Sequence, residues 1–139
     1  MERKVGLWIN YLKAVIVSIA NDKLYIREII SNIDKEIHLS TSDMENLPGE
    51  KIENHHNPHL EGLLDRYYKA IISLVCDAES IWIFGPSDAK VELENRLRTA
   101  GFRARVVGIE TMTEMTNRQL ALKVRQRYLR KPVTHIYSK

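Results

Sequence analysis

Two short apolar runs open the chain, Val5-Gly6-Leu7-Trp8-Ile9 and Ala14-Val15-Ile16-Val17-Ser18-Ile19. Neither alternates apolar with polar residues, so both predict strands buried on two faces, the pattern of a sheet with helices on each side. Only Asn10-Tyr11-Leu12-Lys13 separates them. That predicts a tight hairpin, and Asn10 is a residue that tolerates the positive φ of such turns. Asn21-Asp22 is a second turn signal, and Leu24-Tyr25-Ile26-Arg27-Glu28-Ile29 beyond it reads as a third, more polar strand. The opening is a three-stranded antiparallel meander.

From Ser40 to His59 the pattern lapses. Ser, Thr, Asn, His, Pro48-Gly49 and Pro58 crowd the segment, and apolar residues thin to Met44, Leu47 and Ile52. A loop this long inside a compact domain is either functional or disordered. Beyond Pro58, Leu60, Leu63, Leu64, Tyr67, Ile71, Leu74 and Val75 recur at helical spacing, with Tyr68 and Ile72 widening the stripe. Ser80-Ile81-Trp82-Ile83-Phe84 predicts a buried strand. Gly85-Pro86-Ser87-Asp88 then turns into a helix with Ala89, Leu93, Leu97 and Ala100 on one face, stopped by Gly101. Arg103 to Ile109 reads as a fifth strand. Thr116-Asn-Arg-Gln119 fits a capping box for a last helix, about 116–130, with Leu120, Val124 and Tyr128 inward and Pro132 beyond its end. The order β-β-β, loop, α-β-α-β-α implies an α/β domain in which an antiparallel meander continues into parallel crossovers.

At 139 residues the chain is expected to form a single domain, 1–139. One cysteine, Cys76, excludes an intrachain disulfide and suits a reducing compartment. The Val5–Ile9 run is too short for a signal-peptide core, and no stretch approaches the roughly 18 apolar residues of a membrane span. A cytoplasmic protein without a membrane partner is the expectation. Net charge is only +3, but residues 1–95 hold 10 basic and 16 acidic side chains against 11 and 2 in residues 96–139, a net −6 against +9. That polarity steers the basic end toward phosphate-rich or acidic partners. Arg118, Lys123, Arg125, Arg127, Arg130 and Lys131 carry most of it. On a helix, Arg118 and Arg125 share one face, with Lys123, Arg127 and Arg130 on a neighbouring one. The alternative is an ordinary solvated polar face.

Gly6-Leu7-Trp8-Ile9 with Ala14-Val15-Ile16-Val17, the Lys35–Ser40 stretch containing His38, the helix carrying Tyr67-Tyr68, and Ile83-Phe84-Gly85-Pro86 with Lys90 together resemble the central domain of archaeal and eukaryotic peptide-chain release factors and pelota proteins. Bacteria carry stand-alone relatives of about this length, described as translational machinery proteins. The resemblance spans roughly residues 5–129 and implies a ribonuclease H-like, three-layer fold. In release factors the loop after the third strand carries Gly-Gly-Gln, which enters the peptidyl-transferase centre. Here His38-Leu39-Ser40-Thr41-Ser42-Asp43 stands in its place, without the glycine pair or the glutamine. The resemblance therefore implies a platform for RNA or a ribosomal surface rather than peptidyl-tRNA hydrolysis, with the 40–59 loop as a second contact.

Other constellations are weaker. Gly85, Ser87 and Lys90 would let a helix N-terminus cradle a phosphate, although the full Gly-x-x-x-x-Gly-Lys-Ser/Thr pattern is missing. The ordinary alternative has Gly85 turning the chain, Pro86 fixing φ, Ser87 capping the helix and Lys90 in solvent. His55, His56 and His59 fall within five residues, but Pro58 interrupts them and loop histidines are usually solvated. Nuclease chemistry on this fold needs converging carboxylates. The first strand ends instead in neutral Asn10, and Glu61, Asp65 and Asp77 read as the solvent side of a helix. Ser73 sits in a helical pattern with no nucleophile elbow, and Cys76 reads as core. No catalytic residue and no cofactor is implied. The competing reading is a phosphate-ligand-binding protein or metal-dependent hydrolase that uses the Gly85–Lys90 turn and the loop histidines. A third is a homodimer whose oppositely charged portions meet.

Overall fold

The first hairpin closes through a side chain. In the computed structural model, which describes residues 3–33 and 58–128, β1 (Lys4–Ile9) and β2 (Lys13–Ala20) pair antiparallel. Asn10 Oδ1 accepts the backbone N–H of Leu12 at 2.8 Å and of Lys13 at 2.9 Å. Asn10 thus works by mimicking a backbone acceptor. Positive φ appears instead in the second turn, at Asn21 (55°) and Asp22 (66°), which leads into β3 (Lys23–Ile30).

After α1 (Pro58–Val75) come β4 (Ser80–Gly85), α2 (Ala89–Thr99), a 3-10 turn (Arg103–Arg105), β5 (Val106–Thr111) and α3 (Asn117–Tyr128). The sheet order is β3-β2-β1-β4-β5, with β1 central and parallel to β4, and β4 parallel to β5. This is a mixed three-layer α/β arrangement, a five-stranded sheet flanked by helices. The final residues of the expected loop, Pro58 and His59, are the first turn of α1, where proline's missing N–H costs nothing. The fifth strand starts at Val106 rather than Arg103, because Arg105 is drawn away to donate to the carbonyls of Cys76 at 2.7 Å and Ala78 at 3.2 Å, just past the end of α1. At the end of α2, Gly101 (φ 95°) lets Phe102 N–H reach Leu97 O and its own N–H reach Arg98 O, so the terminal carbonyls are satisfied. Ala100, expected on the buried face, is exposed there.

β1 is buried from Val5 to Ile9, and its residues divide between two cores. Leu7, Ile9, Ile81 and Ile83 face α1 and α2, meeting Tyr67, Tyr68, Ile71 and Leu93. Trp8, Val15, Val17, Trp82 and Phe84 face α3, which buries only Leu120 and Val124. At about 1.5–3 kcal/mol per buried aliphatic side chain, α3 is held by far less apolar surface than α1, so its other attachments matter. One is the capping box: Gln119 N–H donates to Thr116 Oγ1 at 3.0 Å, and Thr116 N–H to Gln119 Oε1 at 2.9 Å. Another is Gly6 on β1, where a Cβ would press into Val124, so the absent side chain lets the helix sit directly on the strand. α3 packs against β1, β2 and β3, whereas on the opposite face α2 reaches β1, β4 and β5. No helix among the described residues is long and apolar enough to cross a membrane.

Candidate nucleic-acid interface

Trp82 is the centre of the site. It alternates along β4 with Ile81 and Ile83, so it points to the α3 side. Its neighbour across the ladder is Gly108 on β5. A Cβ there would lie 3.1 Å from Trp82 Cδ1 and 3.2 Å from Nε1, so glycine leaves the indole room to lie flat over the strand. The indole N–H donates to Glu110 Oε2 at 3.0 Å. Phe84 (centroid 4.3 Å) and the edge of Tyr128 (6.4 Å) brace the ring.

Over this indole, α3 brings its cations. The Arg127 guanidinium carbon lies 4.4 Å from the ring centroid and Lys123 Nζ 5.8 Å, while Lys4 Nζ lies 5.9 Å from the Tyr128 ring. Such contacts contribute about 0.5–1 kcal/mol each at exposed sites, enough to bias where a long side chain rests. Tyr128 donates to Val5 O at 3.0 Å, and burial pushes its hydroxyl pKa up to about 12, so it stays neutral. Trp82, Lys123, Gln126 and Arg127 line a groove of about 520 Å³.

Ion pairs form elsewhere among the described residues. Arg3 pairs with Asp77 at 2.6 Å, Arg96 with Asp65 at 2.7 Å, Lys69 with Asp65 at 3.2 Å, and Arg98 with Glu94 at 3.3 Å. Arg118, Lys123, Arg125 and Arg127 make no ion pair among the described residues, and α3 contains no acidic side chain. These four do not form one continuous arc. At about 100° per residue, Arg118 and Arg125 fall on the flank away from Trp82, both exposed, while Lys123 and Arg127 close over the indole. Arg130 and Lys131 lie outside the described residues, as do His38, Ser40, Thr41, Ser42, His55 and His56. His59 is in the first turn of α1.

The Gly85–Lys90 turn differs from its ordinary reading. Lys90 is buried, with 9% of its surface exposed, and its ammonium donates to Ser87 O at 2.9 Å. Asp88 rather than Ser87 is the N-cap of α2, without a side-chain capping bond, and Ser87 Oγ has no hydrogen-bond partner among the described residues. Among the described residues no three metal-ligating side chains gather. Asn10 is committed to its turn, Glu61 is exposed, and Asp77 is paired with Arg3. The hydrogen bond from Arg96, then that from Lys69, holds the Asp65 carboxyl below the usual carboxylate range. Ser73 Oγ donates to Ala70 O at 2.9 Å, and Cys76 is half-buried rather than core because it stands past the last turn of α1. At the carboxyl ends of β1 and β4, Tyr11 and Tyr68 both donate to Glu92, at 3.0 and 2.7 Å. Burial and then that carboxylate raise both hydroxyls, a structural network that ties the hairpin to α1 and α2.

Sequence reasoning found Lys123 and Arg127 but missed the ring beneath them and Lys4 beside it. The available signal was a tryptophan out of phase with Ile81 and Ile83 in a strand buried on both faces.

No protein-family model matches the chain, and no curated protein does. Among solved structures it is similar to the Pelota protein of Thermoplasma acidophilum, with 12% identity and a TM-score of 0.56 over 91% of this chain and 32% of that one. An archaeal protein gives 13% identity and 0.51 over 94% and 34%. An archaeal translation termination factor gives 8% and 0.50 over 87% and 37%. The chain spans about a third of the length of each of these proteins. At such identities the likeness is one of fold.

Proposed function

We propose that this chain is a translation-related binding domain that engages RNA, including RNA exposed on the ribosome, through the cations of α3. The likeness of fold to a Pelota protein and a translation termination factor supports the translation-related part. The observation that carries the binding part is the gathering on α3 of four cations that make no ion pair among the described residues, on a helix without an acidic side chain. Unpaired cations gathered on one helix are what a polyphosphate needs, because each phosphate neutralised releases condensed counterions. The reading is one of binding, since the 38–43 segment lacks the Gly-Gly-Gln on which release-factor hydrolysis depends.

Co-sedimentation with purified ribosomes, together with binding to total RNA, tests this across salt from about 50 to about 200 mM. Affinity should fall on a log–log plot with a slope of about −0.7 for each phosphate contacted on a single strand. Reversing the charges of the helix, as Arg118→Glu/Arg125→Glu with Lys123→Glu/Arg127→Glu, should abolish it. Absence of binding at low salt, or binding indifferent to salt, overturns the reading.

A further inference from the structure

The two flanks of α3 are not equivalent as binding surfaces. Arg118 and Arg125 extend into solvent, so holding either against a ligand costs about 0.5–1.5 kcal/mol of side-chain ordering. Arg127 and Lys123 already rest against the Trp82 indole. A guanidinium held at a ring keeps its N–H donors for a bidentate partner such as phosphate. Neither cation has an ion-pair partner among the described residues, and the Gln126 amide beside them makes no hydrogen bond there either. The nearby Glu110 carboxylate is engaged by the indole N–H at 3.0 Å.

The groove these residues line measures about 520 Å³, within the range of about 300–1,000 Å³ typical of small-ligand sites. That is more than a lone phosphate needs and too little for a duplex. Trp82 itself is 5% exposed, so a base cannot stack directly on it. The surface it offers is Arg127, and guanidinium planes are themselves stacking platforms for unpaired bases.

Building on the RNA-binding reading above, we propose that the Trp82–Lys123–Gln126–Arg127 groove is a site for one nucleotide of single-stranded RNA. Its phosphate is bridged by Lys123 and Arg127, its base continues the Arg127–Trp82 stack, and Gln126 contacts the base edge. Trp82 is a positioning residue in this arrangement.

The test uses the full chain with a short labelled single-stranded RNA of mixed sequence and a duplex of the same sequence. Arg127→Ala should weaken single-strand binding by about tenfold, the loss expected when one stacked base is released. Arg127→Lys, which keeps the charge but not the plane, should fail to restore it. Arg118→Ala/Arg125→Ala should cost less than Arg127→Ala, and duplex binding should respond equally to changes on either flank. Trp82 emission should change on RNA addition, and Trp82→Phe should remove that change while Arg127→Lys, which leaves the core alone, reports on the plane. If RNA binds but Arg127→Lys matches the parent and the emission stays constant, the groove is not the site and the broader reading stands. If no form of the chain binds RNA, both fall.

Discussion

α3 carries Lys123, Gln126 and Arg127 of the proposed site and sets them against Trp82 of β4, and Gly6 is where its attachment is most exposed to test. A Cβ at Gly6 would lie 3.1 Å from Val124 Cγ1 and closer still to Cγ2. Val124 is 0% exposed and is one of only two fully buried side chains on the helix. Gly6→Ala therefore forces α3 outward or Val124 out of its rotamer, at about 1–3 kcal/mol. Lower chain entropy in the unfolded state returns about 0.4–1 kcal/mol. The net loss should be about 1–2 kcal/mol. Val124→Ala removes the equivalent of two buried methylenes, about 1.6 kcal/mol before any cavity cost. In the double variant the new methyl enters the space the valine vacates, so the total should fall short of the sum by about 1 kcal/mol or more. Urea unfolding with unchanged m-values measures all three. The same cycle has a functional arm: RNA affinity should drop in Gly6→Ala, as the groove beside Trp82 opens, and recover in the double variant. Stabilities additive to within about 0.5 kcal/mol would mean that Gly6 and Val124 do not meet, refuting the seat assigned to α3.

Two further outcomes follow from the same contacts. Thr116→Ala removes the hydroxyl that accepts the Gln119 N–H and leaves the backbone N–H that donates to Gln119 Oε1, so it should cost about 1 kcal/mol in urea unfolding, and an unchanged midpoint would refute the cap. Burial raises the hydroxyls of Tyr11, Tyr67, Tyr68 and Tyr128, the last to about 12 from an ordinary 10.0. The folded state thus holds these protons more tightly than the unfolded chain does, and their contribution to stability should be level below pH 10.0 and fall as pH rises toward 12. The phenolate absorbance of these four should appear together with unfolding, and their ionising at the ordinary value in an intact fold would contradict their burial.

The parts of this fold that were readable in advance are those decided locally. The unbroken runs of β1 and β2 specify two-sided burial by themselves, and the Thr116–Gln119 box and the Gly101 stop are short-range hydrogen-bond devices. What sequence could not reveal depends on partners far along the chain. Arg103–Arg105 alternates like a strand, but Arg105 finds the Cys76 and Ala78 carbonyls, 29 and 27 residues away, and the backbone curls into a 3-10 turn to let it. Lys90 looks solvent-facing in a helical pattern, yet the turn brings Ser87 O within 2.9 Å and the chain folds over it. Arg118, Lys123, Arg125 and Arg127 look like one basic surface until the position of Trp82 splits them.

That split follows from the unequal layers of the domain. Among the described residues two helices cover one side of the sheet and α3 covers the other, packed on β1, β2 and β3. A tryptophan on β4 facing that side borders the strip beyond the helix, toward β5. The indole must still be shielded from water, and among the described residues long cationic side chains lie over it rather than another apolar helix. Arg127 and Lys123 cover apolar surface with their stems while their charged ends face outward, as long basic residues do at the margins of a core. The same arrangement that completes the second core leaves two ordered, unpaired positive charges beside a groove. Arg127→Ala should then have two separable effects, weaker RNA binding and greater quenching of Trp82 emission by a neutral quencher such as acrylamide. Loss of binding with Trp82 no more accessible than before would show that the arginine binds RNA without shielding the core, and would break the link between the two roles.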